Sequence, residues 1–129
     1  MRFLSALLFC LASAAGAQNL EDGEKLYNLH CAACHGVEAK GNGPMSPVLL
    51  VQPANLTLLS QKADGAFPVF RVVKRIDGRD PLVSHGSDMP VYGWFFEGQG
   101  VAIAANDGQP IMTSKPVADL VAWLKTIQE

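Results

Sequence analysis

Cysteine is scarce in this chain: three in 129 residues, and one of them, Cys10, lies inside an apolar run at the N-terminus. That excludes a small scaffold stapled by several disulfides. Beyond Cys10 only Cys31 and Cys34 remain, with no second pair downstream, and the histidines are His30, His35 and His85. A closed zinc site needs four ligands, and little is left to supply them. Positive charge is not in excess either. Ten Lys and Arg face twelve Asp and Glu, a formal net charge of −2, which removes the electrostatic footprint of a nucleic-acid binder. Long apolar runs are missing, and so are internal repeats and low-complexity tracts. Strand signals are weak; Val101 to Ala105 is apolar but does not alternate.

What is present begins at the N-terminus. Met1-Arg2 forms a short positive region, Phe3 to Ala12 is apolar, and Ala15-Gly16-Ala17 is a small-residue cleavage pattern. The apolar stretch is too short to cross a bilayer comfortably. Residues 1–17 therefore read as a secretory signal peptide that takes Cys10 with it, with a retained anchor as the alternative. Residues 18–129 are expected to form one small domain in an exported protein, with no stable membrane span.

Cys31-Ala32-Ala33-Cys34-His35 is the most specific motif. C-x-x-C-H is the attachment signature of c-type haem. Two thiols on one helical turn can form thioethers to the two vinyl groups of one haem, and His35 then offers its imidazole to the iron. The competing readings are a redox dithiol or half a zinc site. A dithiol motif of the thioredoxin kind expects a strand–helix–strand setting, and none is visible. Export also favours haem, since bacterial c-type haem is attached outside the cytoplasmic membrane.

Three segments have helical spacing, with loops between them. The first runs from about Glu21 to Cys34, capped by Asn19, with Leu20, Gly23, Tyr27 and Cys31 recurring on one face. The second runs from Phe67 to Ile76, with Pro68 in its first turn and Gly78 as its stop. The third follows Ser114 or Thr113 as cap and carries a stripe of Val117, Leu120, Val121, Leu124 and Ile127, flanked by Trp123. A short turn is expected over Asn55 to Lys62, ended by Asp64-Gly65. Gly36 to Pro53 and Ile76 to Met89 read as loops. Long loops in a compact domain usually cover a ligand.

With His35 on one side of the iron, the occupant of the other axial position decides the function. The candidates are Met89, Met112, His85, Met45 and His30. Met89 is preferred because Pro90 disfavours helix there and an extended loop can bring the thioether to the iron. Met112 is its nearest rival, and Met45 reads as a core gap-filler. A proximal imidazole also needs an acceptor for its second ring nitrogen; the carbonyl of Pro44 is the expected one, with Pro47 as fallback.

Taken together these residues resemble class I cytochrome c, the small soluble monohaem family. Gly23 and Tyr27 precede the attachment motif where that family carries a glycine and an aromatic. Gly43-Pro44 resembles its proximal loop, Met89-Pro90 its axial methionine motif, and Leu120 with Trp123 its C-terminal helix. The resemblance implies an all-α fold with crossed terminal helices and long loops around one covalent haem c. It implies Cys31, Cys34, His35, Pro44 and Met89 as haem-binding residues, with His35 and Met89 on the iron. The expected function is one-electron transfer in the periplasm by a monomer, between respiratory-chain membrane complexes and soluble enzymes that dock transiently. The alternatives are a haem c subunit of a larger oxidoreductase, or an open-site peroxidase or gas sensor. Tyr92 to Met112, with Trp94, Phe95 and Phe96, looks like an insertion whose aromatics are expected to pack on the haem rather than form a partner patch. Arg71, Lys74, Arg75 and Arg79 form a cationic cluster that can steer partners, hold haem propionates, or simply be solvated.

Overall fold

A computed structural model describes residues 18–79 and 88–129. The signal-peptide reading of residues 1–17 and the candidate ligand His85 lie outside the described residues. Among the described residues four α-helices carry the fold: α1 (Leu20–His30), α2 (Ala32–His35), α3 (Val69–Asp77) and α4 (Lys115–Thr126), with a two-stranded sheet of β1 (Gly100–Ala104) and β2 (Pro110–Ser114) before α4. Among the described residues no helix is long and apolar enough to cross a membrane.

Each helix starts where local chemistry allows. The Asn19 side chain accepts from the backbone N–H groups of Glu21 and Asp22, and the acidic side chains of those two residues suit the positive end of α1. Ser114 caps α4 in the same way, accepting from Val117, with Pro116 in the first turn. α3 ends at Gly78, which takes up a left-handed conformation. The predicted first helix is real but breaks at Cys31, whose backbone departs from helical φ, so that the attachment residues form a separate short turn.

α1 crosses α4 at Gly23. A Cβ there would lie 2.2 Å from the Asp119 carbonyl oxygen and 2.9 Å from the Trp123 Cβ, so only glycine lets the two backbones come this close. Tyr27, one turn on, is fully buried, packs tilted against Trp123 at 4.6 Å between ring centroids, and donates its hydroxyl to the Gly36 carbonyl. Val117, Leu120 and Val121 bury the facing stripe of α4, and Val73 joins them from α3. Asp119 is buried among these apolar residues. It is tolerated there because Lys115 Nζ donates to it at 2.6 Å and the Asn19 N–H at 2.8 Å.

The all-α expectation needs correction. β1 and β2 pair antiparallel, with Gly100 opposite Ser114 and Ala104 opposite Pro110. Ile103 and Ile111 turn into the core from the two strands. In β1 the outward positions are Ala102 and Ala104. Alanine is apolar by class yet small enough to face water, which hid the alternation. Gly108 in the left-handed region and the Asp107 side chain accepting from the Gln109 N–H close the turn.

Candidate functional site

One cavity of about 500 Å³ opens between α1, α3 and α4, within the size range of cofactor pockets. Cys31, Cys34 and His35 border it from the attachment turn, and Met89 and Pro90 from the strap that follows α3. The remaining wall is largely apolar, with Leu49, Val51, Leu56, Leu59, Val72, Ile76, Leu120 and Leu124 among its residues. The fold therefore brings together the two thiols, the imidazole and the thioether that the sequence singled out. That donor set, on one apolar chamber, fits a haem.

The proximal expectation is corrected in one respect. His35 Nδ1 lies 2.9 Å from the carbonyl oxygen of Ala54, not from that of Pro44 or Pro47. A carbonyl only accepts, so Nδ1 is the donor here, and in the neutral ring that tautomer presents the Nε2 lone pair to a metal. The segment after Pro53 is pulled under the imidazole by Leu56, whose N–H donates to the Ala39 carbonyl at 2.7 Å. The Gly43-Pro44 loop has another task. The Gly43 N–H donates to the Cys34 carbonyl at 3.1 Å and the Met45 N–H to the Ala33 carbonyl at 2.9 Å. The loop thereby satisfies the orphan carbonyls at the end of α2 and holds the attachment turn in place.

Burial pushes the Cys31 thiol up to about 11, with the nearby Cys34 adding to the rise. A redox dithiol needs the opposite, a cysteine whose thiolate is stabilised.

Met112 and Met45 fall away from the cavity. Met112 lies on β2, 58 % exposed, and is not among the residues lining the cavity. Met45 is 46 % exposed, so it fills no core gap. His30 does border the cavity, but its ring meets Phe96 edge-on at 5.2 Å and Tyr92 at 5.9 Å, on the same side as the attachment turn.

The aromatic segment divides. Tyr92 and Phe96 line the cavity, stacked 5.4 Å apart, while Trp94 and Phe95 are exposed, paired at 3.9 Å. The cationic cluster divides as well. Arg71 and Arg75, one helical turn apart on α3, reach the cavity rim. Lys74 lies over the Phe70 ring at 4.4 Å. Arg79 donates from Nε to Asp77 at 2.8 Å and from Nη2 to the Met112 carbonyl at 2.7 Å, tying α3 to the hairpin. Sequence reasoning missed Ala54, whose contribution is a backbone carbonyl with no side-chain signature, and Gln52, also on the cavity wall.

The model of the cytochrome c family matches residues 20–128. Among solved structures, a chain of the Kuenenia stuttgartiensis reducing HAO-like protein complex Kustc0457/Kustc0458 is similar, with a TM-score of 0.56 and 24 % identity. The match covers 86 % of this chain but only 43 % of that one, so this chain spans less than half of its length. At that identity the likeness supports the fold alone. No curated protein matches the chain.

Proposed function

As the chain belongs to the cytochrome c family, we propose that it is an exported one-electron carrier. In this reading Cys31 and Cys34 would hold one haem c through thioethers, and His35 and Met89 would be the protein ligands to its iron. The observation that carries the proposal is the convergence of those four side chains on one apolar cavity. When bound, the haem supplies an iron that cycles between ferric and ferrous states. The protein does the rest. Ala54 fixes the tautomer and orientation of His35 and raises its basicity as a ligand. The Met89 thioether favours the ferrous state, and the aliphatic wall keeps water away, which raises the potential further. With His35 and Met89 both holding the iron, the protein would leave no coordination position open for chemistry on a substrate.

Arg71 and Arg75 at the cavity rim suit the haem propionates, since a guanidinium pairs with a carboxylate through two parallel bonds. Pro44 serves the site indirectly, through the loop that secures the attachment turn. The partners are other redox proteins, met in the periplasm over a small and transient interface. Lys74, which does not border the cavity, then acts in steering. Replacing it with glutamate is expected to flatten the ionic-strength dependence of electron transfer to an acidic redox protein, measured by stopped flow. Unchanged salt dependence would remove the steering role.

A second reading is a permanent haem subunit of a larger oxidoreductase. The neighbour of similar fold is itself a chain of a complex. Co-purification of a fixed partner from native cells would select it over the free carrier.

The test of the common core is an optical spectrum of the protein expressed in a periplasm with haem attachment intact. A low-spin spectrum with the weak far-red sulfur–iron band, and no carbon monoxide binding, is the expected result. A high-spin spectrum, or ready carbon monoxide binding, would instead make this an open-site haem protein.

A further inference from the structure

The chain just after Met89 is held from two sides at once. The Tyr92 N–H donates to the Ile76 carbonyl at 2.9 Å, one of the orphan acceptors in the last turn of α3. The Tyr92 hydroxyl donates to the His30 carbonyl at 3.0 Å, at the end of α1 and directly before Cys31. Its ring lies nearly parallel to that of Phe96, at an interplanar angle of 16°. Gly93 completes the anchorage: a Cβ there would sit 2.3 Å from the Asp77 carbonyl oxygen, so the strap rests directly on the end of α3. One residue thus joins the helix carrying the attachment turn to the helix on the opposite wall.

We propose that Tyr92 is the positioning residue for the Met89 thioether, and that its two backbone anchors decide whether the sixth position stays closed. This rests on Met89 as the axial ligand. Pro90 has a fixed φ, and only Val91 separates it from Tyr92. A displacement at Tyr92 is therefore passed to Met89 with little slack. A methionine side chain is flexible and can leave a metal when the backbone behind it gives way. The strength of the strap's attachment then sets the fraction of molecules in which a small ligand can enter. An electron carrier and an open-site haem protein differ here in how one tyrosine is held.

The experiment uses the full-length haem-loaded protein and reads competition at the sixth position with imidazole, followed through the sulfur–iron band. Tyr92→Phe keeps the ring and the backbone bond and removes only the bond to His30. It is expected to leave the band present without imidazole and to tighten apparent imidazole binding about fivefold, the ratio one ordinary hydrogen bond contributes. Carbon monoxide association with the ferrous form should accelerate to a similar extent. Gly93→Ala, which lifts the strap from α3, should tighten imidazole binding more. The decisive comparison is made in a Met89→Ala background, where imidazole meets no competitor. There Tyr92→Phe should change nothing. A fivefold effect that persists without Met89, or no effect of Tyr92→Phe with Met89 present, overturns the proposal. A wild type that lacks the sulfur–iron band overturns the Met89 assignment itself, and this inference with it.

Discussion

Gly23→Ala is expected to lower the unfolding temperature of the haem-loaded protein by about 10 °C or more, the shift that roughly 2 kcal/mol produces in a domain of this size. Two effects compete. Alanine in place of glycine inside a helix is worth up to about 1 kcal/mol of stabilisation. Against it, the new methyl group would stand 2.2 Å from the Asp119 carbonyl oxygen and 2.7 Å from its carbon. Those are backbone atoms, so no rotamer change relieves the overlap, and α1 and α4 must separate. Overpacking of a core typically costs about 1–3 kcal/mol and occasionally more, and here it also loosens Tyr27 against Trp123 and the salt-bridged Asp119. The overlap wins. Gly100→Ala is the matched control: nothing lies within 4 Å of its added carbon, and its unfolding temperature should stay near wild type. Thermal unfolding followed by circular dichroism distinguishes them. Equal stability of the two variants would show that the crossing is not held at Gly23.

The features readable from the chain alone were those in which one side chain declares its setting. Ser114, Pro116 and the stripe from Val117 to Leu124 announce α4 through cap, first-turn proline and period. Gly23 and Tyr27 announce the crossing, and the attachment motif announces its own chemistry. What escaped is what side chains do not encode. Ala54 serves His35 through a carbonyl that any residue could provide, and it was placed there by a hydrogen bond between Leu56 and Ala39. The β-hairpin was hidden because its outward residues in β1 are alanines, although Asn106-Asp107-Gly108 carried a turn signal. Trp94 to Phe96 could not be apportioned by composition. Only the turn that follows Tyr92 decides that Phe96 faces the cavity while Trp94 and Phe95 face solvent. Asp119 finds Lys115 one turn earlier on its own helix, but its second partner, the Asn19 backbone, becomes a neighbour only after α1 and α4 cross.

On the proposed ligation by Met89, the Met89→Ala variant is expected to bind carbon monoxide while keeping its haem. The attachment residues Cys31 and Cys34 and the proximal His35–Ala54 pair are untouched, so the pyridine haemochrome spectrum should report the same haem content as wild type. The sulfur–iron band should vanish. The midpoint potential should fall by on the order of 0.1–0.3 V, part of the about 0.8 V range that axial ligands command, because water or an exogenous ligand stabilises the ferrous state less than a thioether does. Met112→Ala provides the contrast. Met112 is largely exposed on β2, and its carbonyl, not its sulfur, makes the bond to Arg79; replacing its side chain should leave the band, the potential and the indifference to carbon monoxide unchanged. If instead the band survives in Met89→Ala and disappears in Met112→Ala, the hairpin must swing onto the haem and the axial assignment passes to it. The cavity argues against that exchange. Met89 already stands on the same wall-to-wall chamber as His35, and Met112 would have to break the Arg79 bond and the pairing of β1 with β2 to reach it.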